Sequence, residues 1–360
     1  MTETLRYPAD RVCFVLLTGL GDVVMGLPIA AALKRHDPSR HITWVVEPMP
    51  SGVLRHQPAI DEVVVYHRRR GLAGVRELRH ALREGRFDLT LNFNIYFKSL
   101  WPTHFSRAPN RIGFGRDRAR DGVWLAANNP LPARSRRHTL DMFLEFPKHL
   151  GLEMPPVDWC IPLTADERRM QWDFFAPLRD RPVVAIVPAS GKTKKDWLPE
   201  RYAQVVDHLE HDYGFRVVLV GGPGERETRI AREIVDRASA KPMWALGDGV
   251  RRLVWLLGGC DLVIAPDTGP LHIARALDVP VIGLFGHTNP WRVGPYRKYE
   301  DLWVDAYTDT DEVPDPSLSE PEVDRMQRIS VEDVLERVDR ALERYAVASP
   351  ARLDRTSKAQ

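Results

Sequence analysis

The chain has little cysteine: three residues in 360, at Cys13, Cys160 and Cys260, isolated and odd in number. That pattern excludes a disulfide framework and a zinc site, and it fits a reducing cytoplasm. No apolar run approaches the roughly 18 residues of a membrane span. Residues 1–12 are polar and lack the apolar region of a secretory signal. The Arg clusters contain no recognisable nucleic-acid module, so nucleic acid is not an expected partner. Net charge is only +2, with 44% hydrophobic and 28% charged residues, the balance of a soluble globular protein.

The small net charge hides an asymmetry. Residues 1–165 hold 23 Lys and Arg against 16 Asp and Glu, whereas the rest holds 28 against 33. The excess falls in 68–86 and 107–137. A basic half beside an acidic half fits either an anionic partner for the first half or an ordinary Arg-rich solvated surface.

Strand and helix patterns alternate along the chain, as in parallel α/β domains. In the first half, strands are expected at 12–17, 42–46, 62–66 and 89–93, and helices at 23–36, 75–84 and, despite Pro147, 140–150. Residues 106–137 read as loops around short elements. The Pro-rich stretch 151–165 reads as an interdomain linker. A helix at 166–178 opens a second set of units with strands at 183–187, 216–220, 262–264 and 279–285. The acidic, Pro-rich 306–321 reads as a surface loop. A closing helix at 330–345 has Ser330 as its cap. The expected fold is α/β, with two Rossmann-like parallel-sheet domains facing a cleft.

The most informative stretch is 265–295. A strand runs into Asp267-Thr268-Gly269-Pro270, and Gly-Pro is a strong helix start. Backbone N–H groups at such a start favour a phosphate. Thr268 adds a hydroxyl and Gly269 permits close approach, so a nucleotide diphosphate site is expected in the second half. Upstream, Ser190-Gly191-Lys192-Thr193-Lys194-Lys195 gathers hydroxyls and ammonium groups that suit pyrophosphate, or a solvated basic turn. Gly221-Gly222-Pro223-Gly224-Glu225 is a tight turn delivering a carboxylate. His272 reads as structural or as a cap, and Asp309-Thr310-Asp311 as solvated surface.

Near the start, Gly19-Leu20-Gly21-Asp22 joins the first strand to the first helix. It fails as a dinucleotide fingerprint because Val24 stands where a third Gly belongs, and it fails as a P-loop because Leu27 and Pro28 follow Gly26. An NAD-dependent dehydrogenase is therefore disfavoured. Asp22, at the helix start, fits either a cap on a Gly-rich turn or a general base for a substrate hydroxyl.

Together, Gly21-Asp22 with Leu27-Pro28, 195–199, 267–272, and Phe285-Gly286 through Pro290 resemble glycosyltransferase family 9, the bacterial lipopolysaccharide heptosyltransferases. The resemblance implies a GT-B fold with an acceptor-binding domain over 1–165 and a nucleotide-sugar-binding domain over 166–329. The closing helix would occupy 330–346 and a disordered tail 347–360. It implies inversion without a divalent metal or other cofactor, and ADP-heptose as donor. The implied acceptor is an anionic lipopolysaccharide core sugar, reached by peripheral contact at the inner leaflet of the inner membrane.

By matching position, Asp22 resembles the family's general base and Lys195 the lysine that neutralises the diphosphate. Ser190 stands where a hydroxyl meets phosphate, with Gly191 and Thr193 beside it. Glu225 resembles the ribose-binding acid. Asp267, Thr268 and Gly269, with Pro270 and His272, resemble the turn under the pyrophosphate. Gly19 and Gly21 fall on the acceptor side. Departures lie at Ser190-Gly191, where one group has two threonines, at His287, where Pro is common, and in 306–321. A nucleotide-sugar epimerase of GT-B fold and a non-catalytic nucleotide-sugar-binding relative are the alternative readings.

Overall fold

A computed structural model describes residues 5–309, 314–318, 320–345 and 347. The chain divides into two compact units at Pro162/Leu163.

The first unit runs β1 (Arg11–Val15), α1 (Leu20–His36), β2 (His41–Val46), β3 (Glu62–Val65), α2 (Leu72–Arg83), β4 (Leu89–Asn92), α3 (Leu100–Phe105), β5 (Asn110–Gly113), β6 (Asn129–Pro130), α4 (Thr139–Phe143) and α5 (Glu145–Leu150). Its six strands are all parallel, in the order β3-β2-β1-β4-β5-β6. The central strands are continuous apolar runs because helices cover both faces of a parallel sheet. Val12, Cys13, Phe14 and Val15 are wholly buried.

The second unit opens with α6 (Ala165–Phe175) and continues β7 (Val183–Ile186), α7 (Pro199–His211), β8 (Arg216–Leu219), α8 (Glu225–Arg237), β9 (Met243–Trp244) and α9 (Val250–Leu257). Then follow β10 (Leu262–Pro266), α10 (Gly269–Ala276), β11 (Val281–Phe285), α11 (Pro290–Val293), β12 (Trp303–Asp305) and α12 (Val331–Arg344). Its parallel sheet has the order β12-β11-β10-β7-β8-β9. Read from β9, this repeats the first unit's winding: chain order 3-2-1-4-5-6 in both, the doubly wound nucleotide-fold arrangement.

Several local features depart from the sequence reading for identifiable reasons. The expected helix over 140–150 is two helices, α4 and α5, broken at Leu144. Pro147 cannot donate to the Phe143 carbonyl, and its ring crowds that group. The segment 106–137, read as loops around short elements, contains the short strands β5 and β6, with β6 at the sheet edge. The same segment buries Arg118, which pairs with Glu145 at 2.9 Å; Arg137 reaches Glu145 at 2.8 Å. Part of the first half's positive excess is therefore internal bracing. Gly26, in α1, lies against the fully buried Trp44: a Cβ there would sit 2.8 Å from the indole and 3.1 Å from Leu16. The absence of a side chain lets α1 seat on β1 and β2.

Ser330 caps α12 reciprocally with Asp333, the two side chains taking each other's backbone N–H at 3.0 and 2.8 Å. Thr310 and Asp311, the expected 347–360 tail from residue 348 on, and parts of the 306–321 loop lie outside the described residues. Asp309 is engaged by Arg325 at 2.9 Å and Arg328 at 3.0 Å.

Candidate active site

In a sheet of this order, the loops leaving the two central strands turn to opposite faces. A crevice opens at their carboxyl ends, where ligands bind in open α/β sheets. The sequence-predicted site residues lie after β1 in one unit and after β7 and β10 in the other, except Glu225, which follows β8.

In the first unit, two buried asparagines at the end of β4 fix the exit of β1. Asn94 accepts from the Leu17 N–H at 2.9 Å and donates to the Val15 carbonyl at 2.8 Å, while Asn92 accepts from the Asn94 side chain at 3.0 Å. The chain then enters α1 through Gly19, the N-cap, with Gly21 and Asp22 in the first turn. Asp22 is half-buried at the third helical position, where the helix dipole favours a carboxylate. Gly19 is exposed at φ −64°, and an added Cβ would meet nothing within 4 Å. Neither strain nor internal crowding demands glycine there.

In the second unit, the loop after β7 is tied to α8. The Ser190 N–H donates to Asp196 at 2.7 Å, and Arg226 donates both to Asp196 and to the Ser190 carbonyl. Burial lifts the Asp196 carboxyl above its usual range, against the pull of the Ser190 N–H and Arg226. The Ser190 hydroxyl, expected to face phosphate, is instead turned into its own loop. It donates to the Lys192 carbonyl at 2.7 Å and accepts the Lys192 N–H at 3.1 Å. With the residue 1% exposed, the hydroxyl closes the turn rather than facing outward. Gly191 is exposed, and a Cβ there would also meet nothing within 4 Å. Thr193 opens the short turn Thr193–Lys195 and is exposed, as is Glu225 at the start of α8.

The two loops of this unit meet at Asp267. Its carboxylate accepts from Lys195 Nζ at 2.5 Å and from the Thr288 hydroxyl at 2.7 Å, and His272 Nε2 lies 3.7 Å away. Asp267 is 7% exposed. Burial alone would raise its carboxyl, but the Lys195 ammonium and His272 outweigh that and hold it well below the usual range. Thr268 is the N-cap of α10, its side chain capping no backbone N–H, and Gly269-Pro270 open the helix. Lys195 thus stands beside a helix N-terminus, with a third N–H beyond its two contacts with Asp267.

Sequence reasoning missed Arg226, Thr288 and Asn94. Thr288 was visible in the segment after β11, and Arg226 follows Glu225 directly, but their partners are remote in sequence. His287, the departure from the family pattern, is buried and hydrogen-bonded to the Glu322 carbonyl at 2.5 Å. Asn289 reaches the Asp315 carbonyl at 2.8 Å. Together they hold the described part of the acidic, Pro-rich segment to the loop after β11.

Two doubly wound units with loops gathered at their switch points are the architecture of the GT-B fold. Residues 75–317 match the family profile Glycosyltransferase family 9 (heptosyltransferase). The chain is 31% identical to the lipopolysaccharide core heptosyltransferase OpsX of Haemophilus influenzae over 291 residues, 81% of this chain and 83% of that protein. The fold is similar to that of a family 9 glycosyl transferase from Veillonella parvula (TM-score 0.76, 23% identity, 92% of this chain and 97% of that one). It is also similar to E. coli heptosyltransferase WaaC with ADP-2-deoxy-2-fluoro heptose (TM-score 0.71, 21% identity, 92% and 99%). The chain belongs to glycosyltransferase family 9.

Proposed function

We propose that this enzyme transfers a heptose from ADP-heptose to a hydroxyl of the lipopolysaccharide inner core, inverting the anomeric carbon without a metal. The observation that carries the reading is the Lys195 ammonium held by buried Asp267 beside the N-terminus of α10. As the anomeric C–O bond breaks, negative charge grows on the departing diphosphate. An ammonium and a helix N-terminus already fixed in place stabilise that charge without reorganising. Asp267 is too buried to be a phosphate contact itself; its role is to position Lys195, with Thr288 and His272 positioning Asp267.

Asp22 takes the proton from the attacking hydroxyl as that oxygen bonds to the anomeric carbon from the side opposite the leaving group. In-line displacement then inverts the configuration. The open space over Gly19 and Gly191 suits close approach of substrate to backbone. Glu225 and Thr193, both exposed, would serve ribose and phosphate, and the basic first unit suits an anionic acceptor at the inner leaflet. Homology to heptosyltransferases supports the sugar; the donor base rests on the ADP-bound relatives.

The test is thermal stabilisation by ADP, UDP, GDP and NAD, followed by ADP release from ADP-heptose with a core acceptor. A ligand at about 100 times its dissociation constant stabilises by roughly 2.7 kcal/mol. Selective stabilisation by ADP and acceptor-dependent ADP release are expected. Preference for UDP or GDP would overturn the donor, and ADP release indifferent to acceptor would overturn transfer.

A further inference from the structure

Four of the first unit's arginines share one groove. Arg76, Arg79 and Arg83 of α2, and Arg107 just after α3, line a groove of about 550 Å³ together with His80 and His104. No carboxylate lines it, and among the described residues none of the four arginines forms an ion pair. Elsewhere in the same unit Arg35, Arg70 and Arg118 each hold an acid. Four guanidinium groups around one groove raise the local positive potential, which attracts an anionic occupant most strongly at low salt.

The sequence builds this face deliberately. Leu72, Arg76, Arg79, His80 and Arg83 fall on one side of α2, while Leu78 and Leu82 on the other side enter the core beneath. On α3, Trp101 stacks on Phe105 with ring centroids 5.7 Å apart. Trp101, which lines the groove, is 43% accessible, and large apolar side chains are also exposed at the start of α2 (Leu72, 77%) and just before α3 (Tyr96 43%, Phe97 47%). Phosphate ions would need only the charges. A cationic floor with an aromatic and aliphatic rim matches the head-group level of a bilayer, where such rings settle and anionic lipids attract basic side chains.

We propose that the α2–α3 groove docks the enzyme on an anionic phospholipid surface, Arg76, Arg79, Arg83 and Arg107 taking lipid phosphates while Leu72, Phe97 and Trp101 enter the interface. This extends the reading of a membrane-borne acceptor by assigning the surface that meets the membrane, on a flank formed by α2 and α3 and made of none of the residues placed in the transfer chemistry.

The experiment is sedimentation of the full-length protein with phosphatidylcholine vesicles, with and without phosphatidylglycerol, at low and high salt. Wild type should pellet only with the anionic vesicles and release as salt rises. R79Q/R83Q should partition about thirtyfold more weakly, from the contribution of two basic residues near a charged surface. W101A should weaken binding at both salt concentrations. R79Q/R83Q should keep the wild-type melting temperature and its shift with ADP, and should match wild type in turnover of a water-soluble acceptor fragment.

Equal pelleting of wild type and R79Q/R83Q, or wild-type indifference to phosphatidylglycerol, overturns the proposal. So does a rise in wild-type melting temperature with inorganic phosphate in the absence of vesicle binding, which would assign the groove to a soluble anion. Vesicle binding lost in R79Q/R83Q by a wild type inactive on the fragment supports the surface while counting against the transferase reading.

Discussion

Lys195 Nζ lies 2.5 Å from the Asp267 carboxylate, joining the loop after β7 to the loop after β10 across 72 residues of sequence. The pair is mostly buried, at 17% and 9% side-chain exposure. Replacing either member leaves the other charge without its main partner and should cost stability, but the two differ in their effect on turnover. K195M removes the charge that meets the leaving diphosphate, so kcat should fall by about 10²–10³. D267N strands the ammonium and should cost about 3 kcal/mol of stability as well as activity. Turnover beside thermal unfolding for both variants separates the roles; a D267N protein of unchanged stability would remove the pair from the scaffold.

The same pair sets an acid dependence. Asp267 is held below its unfolded value, so its contribution is fully present above the ordinary carboxylate range of about 4 and is lost as pH falls toward the folded value. Stability of wild type over D267N should therefore be greatest near neutrality and shrink below about pH 4. Denaturant titrations at stepped pH read this, and a gap that widens on acidification would contradict it.

Asp22 carries the base assignment. D22N preserves the side-chain shape at the third position of α1 and should lower kcat by about 10²–10⁴ with little change in melting temperature. A D22N enzyme with near-normal turnover would make the residue a helix-start carboxylate and nothing more.

Arg226 ties α8 to Asp196 and the Ser190 carbonyl, holding the donor loop's shape without reaching into the reaction. R226Q should therefore raise KM for the nucleotide sugar, by roughly tenfold, more than it lowers kcat. A pure kcat defect would argue instead for direct contact with the leaving group.

Gly26 has no space for a methyl group beside Trp44. G26A should destabilise the first unit by about 1–3 kcal/mol, visible as a lower melting temperature, with the second unit's response to ADP retained. Unchanged stability would mean that α1 shifts freely over β2.

The central strands were legible because burial on both faces makes them unbroken apolar runs. The loops leaving them were legible because Gly, Pro and charge cluster there. Asp22, Lys195 and the 267–272 turn could be singled out for that reason. What the chain's order concealed was mutual engagement: nothing local says that Asp267 receives Lys195 and Thr288, or that Ser190 spends its hydroxyl on Lys192. Strands β9 and β12, of two and three residues, are too short to carry a period. The cluster of Arg76, Arg79, Arg83 and Arg107 was visible only as a local excess until α2 and α3 lay side by side.

One tether has a consequence for how the molecule is made. Trp197, 1% exposed and two residues beyond Lys195, donates its indole N–H to the Ile329 carbonyl at 3.1 Å, and Arg201 binds the same carbonyl. The turn that presents Lys195 is thus fastened to the chain just before α12, 132 residues downstream. Synthesis proceeds from the N-terminus, with earlier domains folding first. The first unit and all strands of the second sheet are therefore synthesised before this anchor, and the loop after β7 cannot be fastened until Ile329 has been added. A prematurely terminated chain ending before Ile329 would contain all the described strands and still lack the fastening that sets its lysine.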